Sequence, residues 1–265
     1  MGLRIVQVDA FSAKPFAGNP AAVCVLAHAA DRKWMQHVAR EMNLSETAFL
    51  FRAGDAWNLR WFTPTVEIDL CGHATLASAH VLWEDGHLQP GTRARFDTRS
   101  GRLTADQSGA WIEMDFPAQA ATPAPVPDGL FTALGVAGSY VAKNATDYLV
   151  EVDTEAAVRG LTPDFTALRG LPIVRGVIVT ARASSAGFDF ISRFFAPAAG
   201  VDEDPVTGSA HCALAPFWSE RLGKPALVGY QASARGGVVA VRMNGDRVIL
   251  GGQAVTVLRG ELVTH

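Results

Sequence analysis

Long apolar runs are missing from this chain, and no stretch approaches the roughly 20 residues that a membrane-spanning helix needs. The start, Met1-Gly2-Leu3-Arg4-Ile5-Val6, has neither the basic opening nor the apolar core of a signal peptide. Charge is sparse, at 18% of the 265 residues, and balanced at a net −3. No Lys/Arg cluster runs along any segment, so the electrostatic footprint of a nucleic-acid binder is absent. Cysteine is scarce as well. Cys24, Cys71 and Cys212 are odd in number and widely spaced, which gives neither a disulfide framework nor a zinc pattern. His73, His80 and His211 show no His-x-x-x-His spacing beside a carboxylate, so no metal site is expected. A Gly-x-Gly-x-x-Gly or phosphate loop is lacking, and Ser209 stands in no Gly-x-Ser-x-Gly elbow. Nucleotide cofactors and serine hydrolysis are therefore not implied. These absences leave the expectation of a cytoplasmic protein with reduced thiols that binds neither membrane nor nucleic acid.

What remains is a half-apolar chain, 49% hydrophobic, long enough for one large domain or two smaller ones with real cores. Short β-rich runs dominate. Strands are predicted at Leu3–Asp9, Ala21–Leu26, Thr47–Phe51, Trp57–Phe62, Ala94–Thr98, Arg102–Ala105 and Trp111–Asp115. Asp31 is placed to cap a helix through Trp34, Val38 and Met42, whose apolar residues recur every four positions. Between Pro117 and Pro127 stand four prolines, which fit neither a helix nor a central strand. This segment reads as a semi-extended crossover between lobes of residues 1–117 and 118–265, the last strand being free to return to the first lobe.

The second half repeats the first in outline. Arg60-Trp61-Phe62-Thr63-Pro64 precedes Cys71-Gly72-His73-Ala74-Thr75-Leu76-Ala77, and Arg193-Phe194-Phe195-Ala196-Pro197 precedes Thr207-Gly208-Ser209-Ala210-His211-Cys212-Ala213. In each half an Arg-aromatic-Phe-x-Pro strand end leads through an acidic loop to a Gly and then a helix of small residues. Recurrence in the same order points to internal duplication. Each helix start offers unpaired backbone N–H groups and a positive dipole end, so a small carboxylate is favoured at Gly72-His73 and at Gly208-Ser209. Ordinary capping is the plainer role for either start alone.

Glu46 stands in the uncharged stretch Leu44-Ser45-Glu46-Thr47-Ala48-Phe49-Leu50. Desolvation disfavours the charged form of a carboxylate in such surroundings, which suits proton transfer near neutral pH. A rim or capping glutamate would carry the same sequence. Aligning the halves sets Glu46 near Arg175, with no carboxylate nearby, so only one lobe would supply this base. Asp204, beside Glu203 and before Pro205, is either a functional carboxylate or part of a solvated acidic turn. His211 points either into helix packing or into the site and is left unassigned. Cys24, Cys71 and Cys212 fit packing roles.

Asn43-Leu44-Ser45-Glu46-Thr47-Ala48-Phe49, Phe62-Thr63-Pro64 with Cys71-Gly72-His73-Ala74-Thr75, and Glu203-Asp204-Pro205-Val206-Thr207-Gly208-Ser209-Ala210 resemble the hallmark blocks of the PhzF (phenazine-biosynthesis-like) family. Asp9-Ala10-Phe11 and Gly18-Asn19-Pro20-Ala21-Ala22-Val23 resemble its N-terminal block, whereas Gln231 to Val241 matches only loosely. The resemblance implies an α+β, diaminopimelate-epimerase-like fold of two pseudo-symmetric lobes, each a curled β-sheet around a central helix. It implies a homodimeric isomerase without cofactor, acting between the lobes on a small carboxylate-bearing, cyclic or unsaturated amino-acid-like substrate. The family's named reaction isomerises trans-2,3-dihydro-3-hydroxyanthranilate. By position, Glu46 is the implied acid/base, and Gly72, His73, Asp204, Gly208 and Ser209 are the implied substrate-binding residues. Two alternatives stay open: a non-catalytic small-molecule binder on the same fold, and a Cys71-dependent racemase or epimerase. A two-thiol racemase is disfavoured, because Thr207 stands where the second cysteine would be.

Overall fold

A computed structural model describes residues 2–263. The chain divides into two compact units, Met1–Phe116 with Ile249–His265, and Pro117–Val248. No helix among the described residues is long and apolar enough to cross a membrane.

The first unit runs β1 (Leu3–Ala10), β2 (Asn19–Leu26), α1 (Arg32–Met42), β3 (Glu46–Ala53), β4 (Ala56–Phe62), β5 (Glu67–Ile68), α2 (Gly72–Glu84), β6 (Ala94–Thr98), β7 (Gly101–Ser108) and β8 (Trp111–Pro117). Strand β1 pairs antiparallel with β2, β2 parallel with β3, β3 antiparallel with β4, β4 parallel with β6, and β6 antiparallel with β7. Asp31 caps α1 by accepting from the backbone N–H groups of Lys33 and Trp34, a contact worth about 1 kcal/mol. Asn43 ends α1 in the left-handed conformation, φ 49°, which turns the chain sharply into β3. The face of α1 carrying Met35, Val38 and Ala39 packs on Ile5, Ala22, Cys24, Phe49 and Phe62.

Helix α2 is buried nearly all round, from His73 through Ala79 and again at Val81, Leu82 and Trp83. Such a helix belongs inside a curled sheet, and its alanines let strands approach closely.

The second unit runs β9 (Thr122–Pro123), α3 (Leu130–Leu134), β10 (Tyr140–Lys143), β11 (Asp147–Glu151), α4 (Glu155–Arg159), α5 (Phe165–Arg169), β12 (Gly176–Arg182), β13 (Phe190–Phe195), α6 (Gly208–Leu222), β14 (Ala226–Gln231) and β15 (Gly237–Asn244), and it begins β16 (Arg247–Gly252), most of which belongs to the first unit. The chain leaves this unit after Val248 and adds β17 (Ala254–Leu262) to the first, antiparallel to β1. The proline-rich segment after Pro117, which ends β8, forms no regular element apart from β9, where Pro123 sits opposite Ala142 in a two-residue strand. At Gly252, a Cβ would lie 2.4 Å from Phe11 and 2.7 Å from Leu76 of α2, so only glycine fits there.

The duplication extends to topology. In the second unit β10 pairs antiparallel with β11, β11 parallel with β12, β12 antiparallel with β13, β13 parallel with β14, and β14 antiparallel with β15. That is the sequence of pairings from β1 to β7, with α6 in the place of α2. The register aligns the units residue by residue. Thr47 faces Phe62 across β3 and β4, and Val177 faces Phe195 across β12 and β13. Glu46 therefore corresponds to Gly176, Cys71 to Thr207, and His73 to Ser209.

Candidate active site

In the first unit, three sequence-nominated residues come together. Glu46 opens β3 opposite Ala21, while Gly72 and His73 open α2. The Glu46 Oε2 and His73 Nε2 atoms lie 3.0 Å apart, with side chains only 15% and 6% exposed. Close as they are, the imidazole N–H and the carboxylate are not aligned as a hydrogen bond, so both atoms are buried without a well-directed partner. Catalytic hydrogen bonds are often loose until substrate arrives. Cys71 completes the cluster, its Sγ lying 3.5 Å from the other ring nitrogen, His73 Nδ1.

Burial opposes charge on His73, yet Cys71 and the Glu46 carboxylate beside it hold the imidazole well above the ordinary histidine value. Burial, reinforced by the Glu46 carboxylate, pushes the Cys71 thiol up. The ligand atoms of Glu46, Cys71 and His73 lie within 4.8 Å of one another, and a metal ion is conceivable on distance alone. The thiol and the carboxylate, however, address opposite nitrogens of one ring.

Helices α1, α4 and α5 are capped by the side chains of Asp31, Thr154 and Asp164. Cys71 and Thr207, the N-cap residues of α2 and α6, make no such bond. The two helix starts picked out by the repeat thus lack the commonest intramolecular partner for their N–H groups.

Asp204, Gly208 and Ser209 fall in the second unit, at the turn into α6. They make separate contacts. The Thr207 hydroxyl donates to Asp204 Oδ2 at 2.6 Å. Buried Gln231 accepts from the Thr207 backbone N–H at 2.9 Å and donates to the Asp204 carbonyl at 2.7 Å. Ser209 Oγ accepts from Arg175 Nη1 at 2.9 Å. Glu203 forks onto Arg193 at 2.7 and 2.8 Å, as Glu67 forks onto Arg60 at 2.7 and 2.9 Å. In both units that arginine also lies over the Phe of its own strand end, Phe62 or Phe195. Glu203 is thus the scaffold half of the acidic pair, and Asp204 is the half turned to the helix start.

Sequence reading missed Gln231, Asp147 and the part played by Arg175. A signal existed for Asp147: a lone carboxylate opening the apolar strand Tyr148-Leu149-Val150 needs a buried partner. Gly176 explains why the second unit has no counterpart of Glu46. A Cβ there would lie 2.6 Å from both the Phe194 ring and the Phe195 carbonyl oxygen, so no side chain fits where Glu46 stands in the first unit.

The remaining candidates lie elsewhere. His211 is fully buried, its Nδ1–H donating to the Thr207 carbonyl at 2.9 Å. Thr75 makes the equivalent bond to the Cys71 carbonyl at 2.5 Å. His80 pairs with Glu84 and Thr256. Burial pushes the Cys24 and Cys212 thiols up to about 12, as befits core residues. A surface recess of about 360 Å³ on the first unit, lined by His80, Trp83, Glu84, Gln107 and Trp111 among others, contains none of the nominated residues.

Comparison with known proteins bears on this arrangement. Residues 8–260 match the family model described as phenazine biosynthesis-like protein. A Halalkalibacterium halodurans protein named an uncharacterized isomerase is 54% identical over 99% of both chains. A PhzF family crystal structure from Enterococcus faecalis superposes with a TM-score of 0.96, at 40% identity and complete coverage of both chains. A probable proline racemase from Agrobacterium radiobacter shares the fold at a TM-score of 0.65 and 12% identity, over 99% of this chain and 93% of that one. With its duplicated curled-sheet architecture and helix-start cluster, the chain belongs to the phenazine biosynthesis-like (PhzF) family of isomerases.

Proposed function

We propose that this isomerase moves a proton between two positions of a small carboxylate-bearing substrate, cyclic or unsaturated and amino-acid-like, with Glu46 as the single acid/base. The observation that carries this is the buried contact of Glu46 Oε2 with His73 Nε2 at 3.0 Å. His73 stands beside the Glu46 carboxylate, which takes a proton from carbon. The carboxylic acid so formed then delivers that proton to another atom of the same skeleton. No second base is needed if both positions lie on one face of the substrate. Backbone N–H groups at Gly72-His73 and at Gly208-Ser209 suit a substrate carboxylate, and Asp204 suits a polar substituent such as an amine or hydroxyl. A Cys71-dependent racemase fits less well, because the thiol is buried and neutral and its counterpart is Thr207.

The test is incorporation of solvent deuterium into C–H positions of small cyclic and unsaturated amino acids, followed by NMR. Glu46→Gln should fold normally and lose roughly 10²–10⁴-fold in exchange, the usual contribution of a positioned acid/base. Undiminished exchange by Glu46→Gln would remove the proposed base. Binding without exchange by the unaltered protein would favour a non-catalytic binder.

A further inference from the structure

We infer that Arg175 is a positioning residue that fixes the Ser209 hydroxyl as a hydrogen-bond donor, making the start of α6 selective for an anionic oxygen of the ligand. This rests on Ser209 being a substrate-binding residue.

The guanidinium is held on three sides. Its Nε donates to Asp147 Oδ1 at 2.8 Å, its Nη2 donates to Asp147 Oδ2, and its plane lies 5.3 Å from the Phe194 ring centroid. Asp147 is fully buried, whereas the Arg175 side chain keeps a third of its surface exposed. A pair serving only to tie β11 to β12 would be complete with that fork. Arg175 goes further and directs Nη1 at Ser209 Oγ, 2.9 Å away.

A hydroxyl has one proton and two lone pairs. Here a cationic N–H occupies one lone pair, and the same charge turns the hydroxyl proton outward. Ser209 is half-buried and finds no acceptor for that proton among the described residues. A ligand atom meeting Ser209 is therefore asked to accept. The Asp147 carboxylate offsets the arginine's net charge, so the preference lies in the direction of the O–H and not in a general positive field. Lysine could supply the charge but not a planar fork that holds Asp147 and reaches Ser209 together.

The register adds a second reason. Residue 46 opens β3 and faces residue 73, while the arginine just before β12 faces residue 209, the counterpart of residue 73. Neighbouring scaffold positions thus present a proton acceptor in one unit, at Glu46, and a donor array in the other, from the residue just before Gly176.

The probe pair is benzoate and its neutral isostere benzamide, titrated into the full chain while the Ser209 amide and the Arg175 Nε–H are followed by NMR. The unaltered protein should bind benzoate roughly 10–100-fold more tightly than benzamide, as one charge-assisted hydrogen bond allows. Ser209→Ala should abolish most of that preference. The double variant Asp147→Asn/Arg175→Gln, which leaves no unpaired buried charge, should abolish it equally, and adding Ser209→Ala to it should cost little more. Benzoate preference surviving in Ser209→Ala, additive losses, or no benzoate-specific shift at Ser209 would each overturn the inference. If the double variant does not fold, Arg175→Lys takes its place: it keeps the charge but not the fork and should lose the preference, and an unchanged preference in it would overturn the inference. The two proposals separate by readout: normal proton exchange in Glu46→Gln sinks the base assignment, while the Arg175 inference is decided by the benzoate preference and the Ser209 shift in proteins that keep Glu46.

Discussion

His211 lies two residues beyond Ser209 and would be a natural acid/base, yet its surroundings make it a neutral structural residue. Its ring is fully buried, Nδ1–H donates to the Thr207 carbonyl, and Nε2 has no partner among the described residues. Phe190 lies 5.8 Å away, centroid to centroid. Protonation would place a second N–H and a charge where neither can be met, and burial pushes the ring down from 6.5 to about 4. Between those values the unfolded chain binds the proton and the folded chain does not. Stability therefore rises with pH across this window, and the contribution is lost as pH falls below about 6.5. A gap of about 2.5 units corresponds to about 3 kcal/mol over the whole window, and about 2 kcal/mol of it lies above pH 5. The comparison variant is His211→Thr, which supplies the hydroxyl that Thr75 uses at the corresponding position. The variant loses ring volume and is less stable at neutral pH, but its pH dependence should be flatter. Hydrogen exchange of the α6 amides, read by mass spectrometry at pH 7.5 and pH 5 after correction for intrinsic rates, gives both stabilities. The unaltered protein should lose about 2 kcal/mol more than His211→Thr over this interval. Equal losses would show that His211 does not titrate as a buried neutral ring.

Cys71 should react with iodoacetamide at pH 7.5 at least about ten times more slowly in the native protein than in denaturant, since the thiolate is the nucleophile and burial disfavours it. Rapid native alkylation that ligand blocks, with loss of proton exchange, would return the racemase mechanism to contention. Gly176→Ala should cost roughly 1–3 kcal/mol, because the new methyl group meets the Phe194 ring and the Phe195 carbonyl, and melting should fall accordingly. A variant as stable as the parent would mean that a side chain fits here after all, and the steric account of the one-sided base would fail.

Much of this fold could be read from local pattern. Alternating apolar runs marked the strands, Asp31 marked the start of α1, and the repeated Arg-aromatic-Phe-x-Pro segments announced the duplication. The order of pairings from β1 to β7 and from β10 to β15 made that duplication concrete. Glu46, Gly72 and His73 stood out because strand and helix starts have chemical signatures that short segments carry within themselves.

Partnership across long separations was different. Glu203 and Asp204 are adjacent acids of opposite use, and only the fork of Arg193 onto Glu203 separates scaffold from helix-start residue. Gln231, 24 residues from Thr207, gave no hint that it ties the turn together. Asp147 and Arg175 are 28 positions apart, and neither suggested a clamp on Ser209. Sequence by itself determined most of the first unit's strands, the start of α1, the repeat and the candidate acid/base, because backbone preference and solvent exposure act locally. Only the tertiary structure decided which charges meet, since burying a charge is tolerable only where folding supplies its partner.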